Sequence, residues 1–340
     1  MALCVLLTGA TMAGLCDTTF LYLLGGTILA LAGKSDAADS KGLLRAAGIS
    51  MGGPVTVRPL MSLGSQNLRL DDIRLLAADI RARHAEGVRA FVVAQGTDTM
   101  EETSFLLSLL APADATIIMT GSMRTADAPG AEGPGNLRDA LIAARDLAGT
   151  RPGVLVAIAG ELHDARLVRK MDSGRIAAFG SPGWGPVGSI ITGRVRLAMT
   201  PLPAPGPYVW PAATGAARVG LVTVAMDADP LSVLPYTDAA WAGLVVEAMG
   251  SGHVPQALAA PLAAIAATKP VLLVSRCPQG DTDGHGTYQG EGTASWLIAN
   301  GLIDAGSLDA RKARLLLTVL LAADLDVRTE MAAWAGMGLV

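Results

Sequence analysis

Aromatic side chains and charge are what this sequence has least of: Phe, Trp and Tyr make up 4% of its 340 residues, and Asp, Glu, Lys and Arg only 16%. A core must therefore be assembled from Ala, Leu, Val, Ile and Met. The 51% hydrophobic content is ample for that and excludes a disordered chain. No run of Lys or Arg occurs and the formal net charge is −4, so the electrostatic footprint of a nucleic-acid binder is missing. Three cysteines, Cys4, Cys16 and Cys277, are an odd number without metal-ligand spacing, which argues against a disulfide framework and for a cytoplasmic setting. The four histidines, His84, His163, His253 and His285, are equally scattered. An uninterrupted apolar run of the roughly 20 residues that a membrane span needs is also lacking. The apolar N-terminal stretch is broken by Gly9, Gly14, Asp17 and Gly25-Gly26, and no Lys or Arg precedes Lys34, as a secretory signal would require. It reads as a buried strand followed by a glycine turn. A small-molecule partner, with neither nucleic acid nor membrane, is the expectation.

What the sequence does have is alternation. Strand-length apolar runs at Phe20–Leu24, Ala90–Ala94, Thr116–Thr120, Gly153–Ile158, Val219–Val224 and Val271–Ser275 are separated by amphipathic stretches such as Asp71–Glu86 and Asn136–Leu147. Short continuous apolar runs alternating with helices predict a parallel sheet covered on both faces. The length exceeds what one core usually serves. The proline-rich stretch 201–215 can hold neither helix nor sheet bonds well, so it is expected to be a linker. An α/β protein follows, with a large domain at 1–200 and a smaller one at 216–340. The G-x-G-x-x-G dinucleotide fingerprint is absent from the first strand–turn–helix, which disfavours a nicotinamide dehydrogenase.

The segment richest in chemistry runs from Val92 to Thr103. A buried strand ends at Gln95, Gly96 lets the chain turn, and Thr97, Asp98 and Thr99 stand at the mouth of the next helix. Thr99 with Glu102 fits a capping box, which accounts for those two residues. Thr97 and Asp98 are left over at the carboxyl end of a parallel strand, where open α/β sheets bind ligands.

Gly96-Thr97-Asp98-Thr99-Met100-Glu101-Glu102-Thr103 resembles the second signature of the bacterial-type L-asparaginase/glutaminase family, with Gln95 in place of a leading histidine. Thr120–Arg124, Ala131–Leu137, Phe179 with Gly185–Gly188, and Ser275–Gly280 are similar to further segments of that family. The resemblance runs from about residue 20 to 330. It implies a large N-terminal α/β domain with a parallel or mixed sheet and a smaller, Rossmann-like C-terminal α/β domain. It also implies a homodimer or homotetramer whose sites are completed across an intimate dimer. The implied reaction is hydrolysis of the side-chain amide of asparagine, or of glutamine, with no metal or cofactor.

Carried over residue by residue, the resemblance makes Thr97, Asp98 and, by register from Phe179, Lys170 a hydroxyl–amine–carboxylate relay. Such a relay is what a weak hydroxyl nucleophile needs, and a desolvated lysine amine is able to accept its proton. Ser65 and Gln66 resemble the loop that grips the substrate's α-carboxylate and α-amine, with Gly96 beside them. Gly250-Ser251-Gly252-His253 matches a small-domain stretch that reaches a neighbouring site, with His253 where an asparagine is common.

One departure bears on the chemistry. Leu24-Gly25-Gly26-Thr27-Ile28 reproduces the family's first signature with Leu24 where the nucleophilic threonine belongs, and Leu43 or Leu44 falls where a tyrosine is expected. A second register remains open, Thr8-Gly9-Ala10-Thr11-Met12-Ala13-Gly14, which would make Thr8 the nucleophile. Thr27 or Thr97 could also supply the attacking oxygen. Two classes of function stay in play: a threonine-dependent amidohydrolase, or a catalytically impaired relative that binds an amino acid or a partner. A subunit of a tRNA-dependent amidotransferase fits less well, for want of an extra N-terminal module.

Overall fold

The computed structural model describes residues 18–26, 54–199, 205–284 and 286–336. The chain divides into two compact units, Met1–Leu202 and Pro203–Val340. In the first, an eight-stranded sheet is built from β1 (Thr19–Leu23), β2 (Val55–Pro59), β3 (Ala90–Ala94), β4 (Thr116–Thr120), β5 (Gly153–Ile158), β6 (Glu161–Asp164), β9 (Gly188–Ile191) and β10 (Arg194–Leu197), in the order β10-β9-β6-β5-β4-β3-β1-β2. The strands from β2 through β5 run parallel; β6, β9 and β10 add an antiparallel flank. The sheet is thus mixed, where the apolar runs alone predict a parallel one. The remaining strands, β7 (Arg169–Lys170) and β8 (Phe179–Gly180), pair only with each other.

Every residue of β1, β3 and β4 is buried, as continuous apolar strands covered on both faces must be. On one face Leu21, Leu23, Val92, Ala94, Ile118 and Leu155 pack with Leu137, Ala140, Leu141 and Ala144 of a helix at Gly133–Leu147. That helix begins three residues before the expected Asn136, with a proline in its first turn, where the missing N–H is harmless. On the other face Phe20, Tyr22 and Phe91 cluster with ring centroids 6.4–6.5 Å apart, Tyr22 stacked on Phe91 and Phe20 tilted to both. The Tyr22 hydroxyl donates to Asp79 Oδ2 at 2.7 Å. Asp79 belongs to α1 (Leu70–Ala85), whose buried residues Ile73, Leu76, Ala77 and Ile80 form the i, i+3, i+4, i+7 stripe of a core-facing helix. Its start is fixed by the Arg69 N–H donating to Asp72 Oδ2 at 2.8 Å, and Asp71 and Asp72 complement the positive helix end.

Strand β6 buries His163, which is 1% exposed. Its Nδ1 lies 3.0 Å from Ser181 Oγ, and Nε2 lies 3.3 Å from Glu161 Oε2 but out of line for a hydrogen bond. Burial outweighs the attraction of Glu161 and holds the imidazole pKa below its ordinary 6.5. The unfolded chain therefore takes up this proton as pH falls through about 6.5, while the folded one does so only at lower pH. Between the two values the unfolded state binds more protons, so stability is lost as pH falls. We predict that the urea midpoint drops between pH 7 and pH 5.5 and that His163→Gln makes the drop shallower, by at most about 1.4 kcal/mol per pH unit. An unchanged slope in the variant would count against this account.

The second unit carries a parallel four-stranded sheet in the order β11-β12-β13-β14, from Val219–Thr223, Gly243–Ala248, Val271–Ser275 and Ile303–Asp304. Its core joins Leu244, Val246, Val271 and Leu273 to Leu258 and Leu262 of the helix Gln256–Ala266. Part of the expected linker is anchored here. The Tyr208 hydroxyl donates to Glu330 Oε2 at 2.8 Å and accepts from the Trp334 indole at 3.0 Å, and Trp334 is wholly buried. Among the described residues no helix is long and apolar enough to cross a membrane.

Candidate active site

Three loops leave the carboxyl ends of the adjacent parallel strands β1, β3 and β4, and each carries glycine where it meets its neighbour. A Cβ on Gly26 would lie 2.4 Å from the Gly96 nitrogen, and one on Gly121 would lie 2.4 Å from the Gln95 carbonyl oxygen. A Cβ on Gly96 itself would meet Ser65 Oγ at 2.7 Å. Gly25 and Gly26 also hold φ of +123° and +89°, a region that side-chain-bearing residues avoid. The loops are packed main chain on main chain, and this fixes where Thr97 and Asp98 emerge. Behind them the buried Asn136 ties the loop after β4 to the turn between β5 and β6, donating to the Gly121 carbonyl at 2.9 Å and accepting from the Ala159 N–H at 3.0 Å.

Lys170 arrives from the β7–β8 hairpin, more than seventy positions along the chain. Its Nζ donates to Thr97 Oγ1 at 3.0 Å and to Asp98 Oδ1 at 2.6 Å. The Thr97 residue is 7% exposed and the Lys170 side chain 17%, while the Asp98 side chain is 63% exposed and borders solvent. Ser65 joins the same cluster. Buried after β2, it accepts the Asp98 N–H on Oγ at 3.2 Å and the Thr99 hydroxyl on its carbonyl at 3.0 Å. Because Ser65 Oγ acts there as acceptor, its own hydroxyl proton remains to be donated elsewhere.

Thr97, Asp98, Lys170, Ser65 and Gly96 are thus brought together. Gln66, next in the same loop as Ser65, is exposed, and its amide lies over Gly64. Leu24 is wholly buried; its N–H donates to the Ala94 carbonyl at 3.0 Å and its carbonyl accepts from Leu63 at 3.1 Å. It follows directly on the β1–β3 register pair Leu23↔Ala94, with the glycine turn behind it on Gly96. Gln95 is 1% exposed, and its Nε2 reaches the Gly96 carbonyl at 3.2 Å and Thr99 Oγ1 at 3.5 Å. Thr8, Thr27, Leu43 and Leu44 lie outside the described residues.

The expected capping box does not form. Thr99 is the N-cap of α2 (Met100–Leu110) but makes no side-chain cap bond; its hydroxyl donates to the Ser65 carbonyl and faces Gln95 Nε2. The helix start is closed by main chain instead: the Met100 N–H reaches the Thr97 carbonyl at 3.3 Å, and the Glu102 N–H reaches the Thr99 carbonyl at 3.1 Å. The residue that sequence reasoning passed over is Glu101, whose buried carboxylate accepts the main-chain N–H of Lys170. Its signals in the sequence are its place within the Gly96–Thr103 match and a pair of adjacent acids at a helix start, neither of which sets it apart from Glu102.

In the second unit His253 accepts the Ala294 N–H on Nδ1 at 3.3 Å, which makes Nε2 the protonated nitrogen facing Ser251 Oγ at 3.1 Å. Its ring stands edge-on to Tyr288 at 5.1 Å. Among the described residues no group of three or more His, Cys, Asp or Glu could hold a metal ion.

Comparison with known proteins gives a consistent result. Residues 19–203 match the family described as Asparaginase, N-terminal, and residues 218–333 match the Glutaminase/Asparaginase C-terminal domain. L-asparaginase 2 of Escherichia coli is 31% identical over 266 residues, covering 77% of this chain and 74% of that protein. A probable L-asparaginase of Deinococcus radiodurans is 39% identical over 251 residues, covering 70% and 72%. The crystal structure of a probable cytoplasmic L-asparaginase from Campylobacter jejuni superposes with a TM-score of 0.81 at 26% identity, covering 93% of this chain and 99% of that one.

Proposed function

The chain belongs to the asparaginase family, and on that premise we propose that it hydrolyses the side-chain amide of L-asparagine or L-glutamine to the acid and ammonia. The observation that carries the reading is one amine, Lys170 Nζ, held at once against Thr97 Oγ1 and Asp98 Oδ1. A neutral hydroxyl attacks an amide carbonyl only as its proton is removed. In its uncharged form the Lys170 amine, 3.0 Å from Thr97 Oγ1, takes that proton, and Asp98 steadies the ammonium that results. The new C–O bond to Thr97 forms, the proton passes from Lys170 to the amide nitrogen, and the C–N bond breaks to release ammonia. Water then attacks the acyl ester with Lys170 again accepting a proton, and that proton returns to Thr97 Oγ1 as the acid departs. Thr8 and Thr27 are the alternative sources of the attacking oxygen.

Ser65, with its uncommitted hydroxyl proton, and Gln66 would hold the substrate's α-carboxylate and α-amine, with the Gly96 main chain alongside. We take 201–215 as the connector between the domains, a homodimer or homotetramer as the assembly, and the cytoplasm as the setting. Similarity to the probable cytoplasmic L-asparaginase of Campylobacter jejuni supports the last. The test is ammonia release from asparagine and from glutamine by purified protein, read with a coupled dehydrogenase. We expect release from at least one, and the ratio of kcat/KM values assigns the substrate. Folded protein that releases none from either would return the chain to the class of amino-acid binders that share the fold.

A further inference from the structure

Nine of the eleven residues of α2 are buried, and Glu101 is the one charged residue among them, 5% exposed. A carboxylate withdrawn from water persists only where donors replace its hydration. One of those donors is the main-chain N–H of Lys170, 2.5 Å from Glu101 Oε2. Lys170 lies on a two-residue strand that belongs to no larger sheet. The next residue, Met171, turns its N–H to the Ala178 carbonyl inside the hairpin at 2.7 Å. By the alternation of a strand, the Lys170 N–H faces out of the hairpin, toward α2. Glu101 stands four and three residues after Thr97 and Asp98, about one helical turn on. The helix whose mouth presents the hydroxyl and carboxylate therefore also holds the main chain that delivers the amine.

We infer that Glu101 is a positioning residue for the relay, acting through Lys170 rather than on the substrate; this rests on the role proposed for Lys170. A lysine side chain has four flexible carbons and still reaches Thr97 if its main chain drifts, but the Nζ then loses its alignment to two acceptors at once. Misplacement by about 1 Å is enough to lower a rate by about a hundredfold.

The experiment is a double-mutant cycle on the full chain. Glu101→Ala is expected to lower kcat by about 10- to 100-fold with KM within about twofold, because substrate-holding groups are untouched. Glu101→Gln keeps a carbonyl that accepts the Lys170 N–H and should restore kcat to within about threefold of wild type. In a Lys170→Ala background, where the amine is already gone, Glu101→Ala should change the residual rate no further. Should Glu101→Ala fail to fold, Glu101→Asp, one methylene shorter, takes its place in the cycle. Wild-type kcat in Glu101→Ala, or the same fold-loss with and without Lys170, overturns the inference. An unchanged rate in Lys170→Ala alone would instead remove the relay itself.

Discussion

Thr97→Val is expected to abolish ammonia release, lowering kcat by about a thousandfold or more while the protein stays folded. Valine keeps the branched shape and removes only the oxygen. Thr97 is 7% exposed and its Oγ1 is the acceptor that Lys170 Nζ meets at 3.0 Å. The lost bond costs about 1 kcal/mol of stability, since Lys170 keeps its 2.6 Å contact with Asp98. The circular dichroism spectrum and urea midpoint should therefore stay close to wild type while the rate collapses. A variant that turns over asparagine or glutamine at the wild-type rate would exclude Thr97 from the chemistry and transfer the search to Thr8 or Thr27.

Leu24→Thr should move activity in the opposite direction, raising kcat/KM for asparagine by on the order of tenfold. Leu24 has no solvent exposure, and it sits between β1 and the Gly25-Gly26 turn that lies directly on Gly96. Its main chain is held on both sides, by Ala94 and by Leu63, so substitution changes the side chain without freeing the loop. Threonine is smaller than leucine and exchanges a methyl surface for a hydroxyl one strand away from the relay. The exchange also removes buried apolar volume, and a fall in stability of about 1–3 kcal/mol should accompany the gain in rate. Adding Tyr at Leu43 or Leu44 should enlarge the gain. Activity unchanged or reduced in all three combinations would make Leu24 an ordinary core residue and shift weight to the Thr8 register.

The parallel core was legible because its strands are continuous apolar runs. Ala90–Ala94, Thr116–Thr120, Gly153–Ile158 and Val271–Ser275 are strands with the bounds the sequence suggests, and Phe20–Leu24 is displaced by one residue. Strands β6 to β10 escaped, since they are two to four residues long and several alternate with exposed positions, as antiparallel edges do. This matters for the site, because Lys170 lies on one of the shortest of them. No periodicity points to it, and its place beside Thr97 was legible only through register with a known family. Glu101 and Glu102 expose a different limit. Two adjacent acids at a helix start differ only in the phase of the helix, and which one faces inward depends on how the helix packs.

The glycines at 25, 26, 96 and 121 have an evolutionary consequence. Those at 25, 26 and 121 meet the main chain of neighbouring loops and the one at 96 meets the Ser65 side chain, so any side chain added there displaces a neighbour that shapes the surroundings of Thr97. The floor of the site is therefore closed to gradual modification: descent through small steps has no intermediate in which one of these loops is slightly thicker. Diversification toward other amides is forced outward, onto the residues that stand around the floor with side chains to exchange, namely Leu24, Ser65, Gln66 and Gln95. Of these, Gln95 and, on the register that aligns Leu24–Ile28 with the first signature, Leu24 stand where the family resemblance expects other residues.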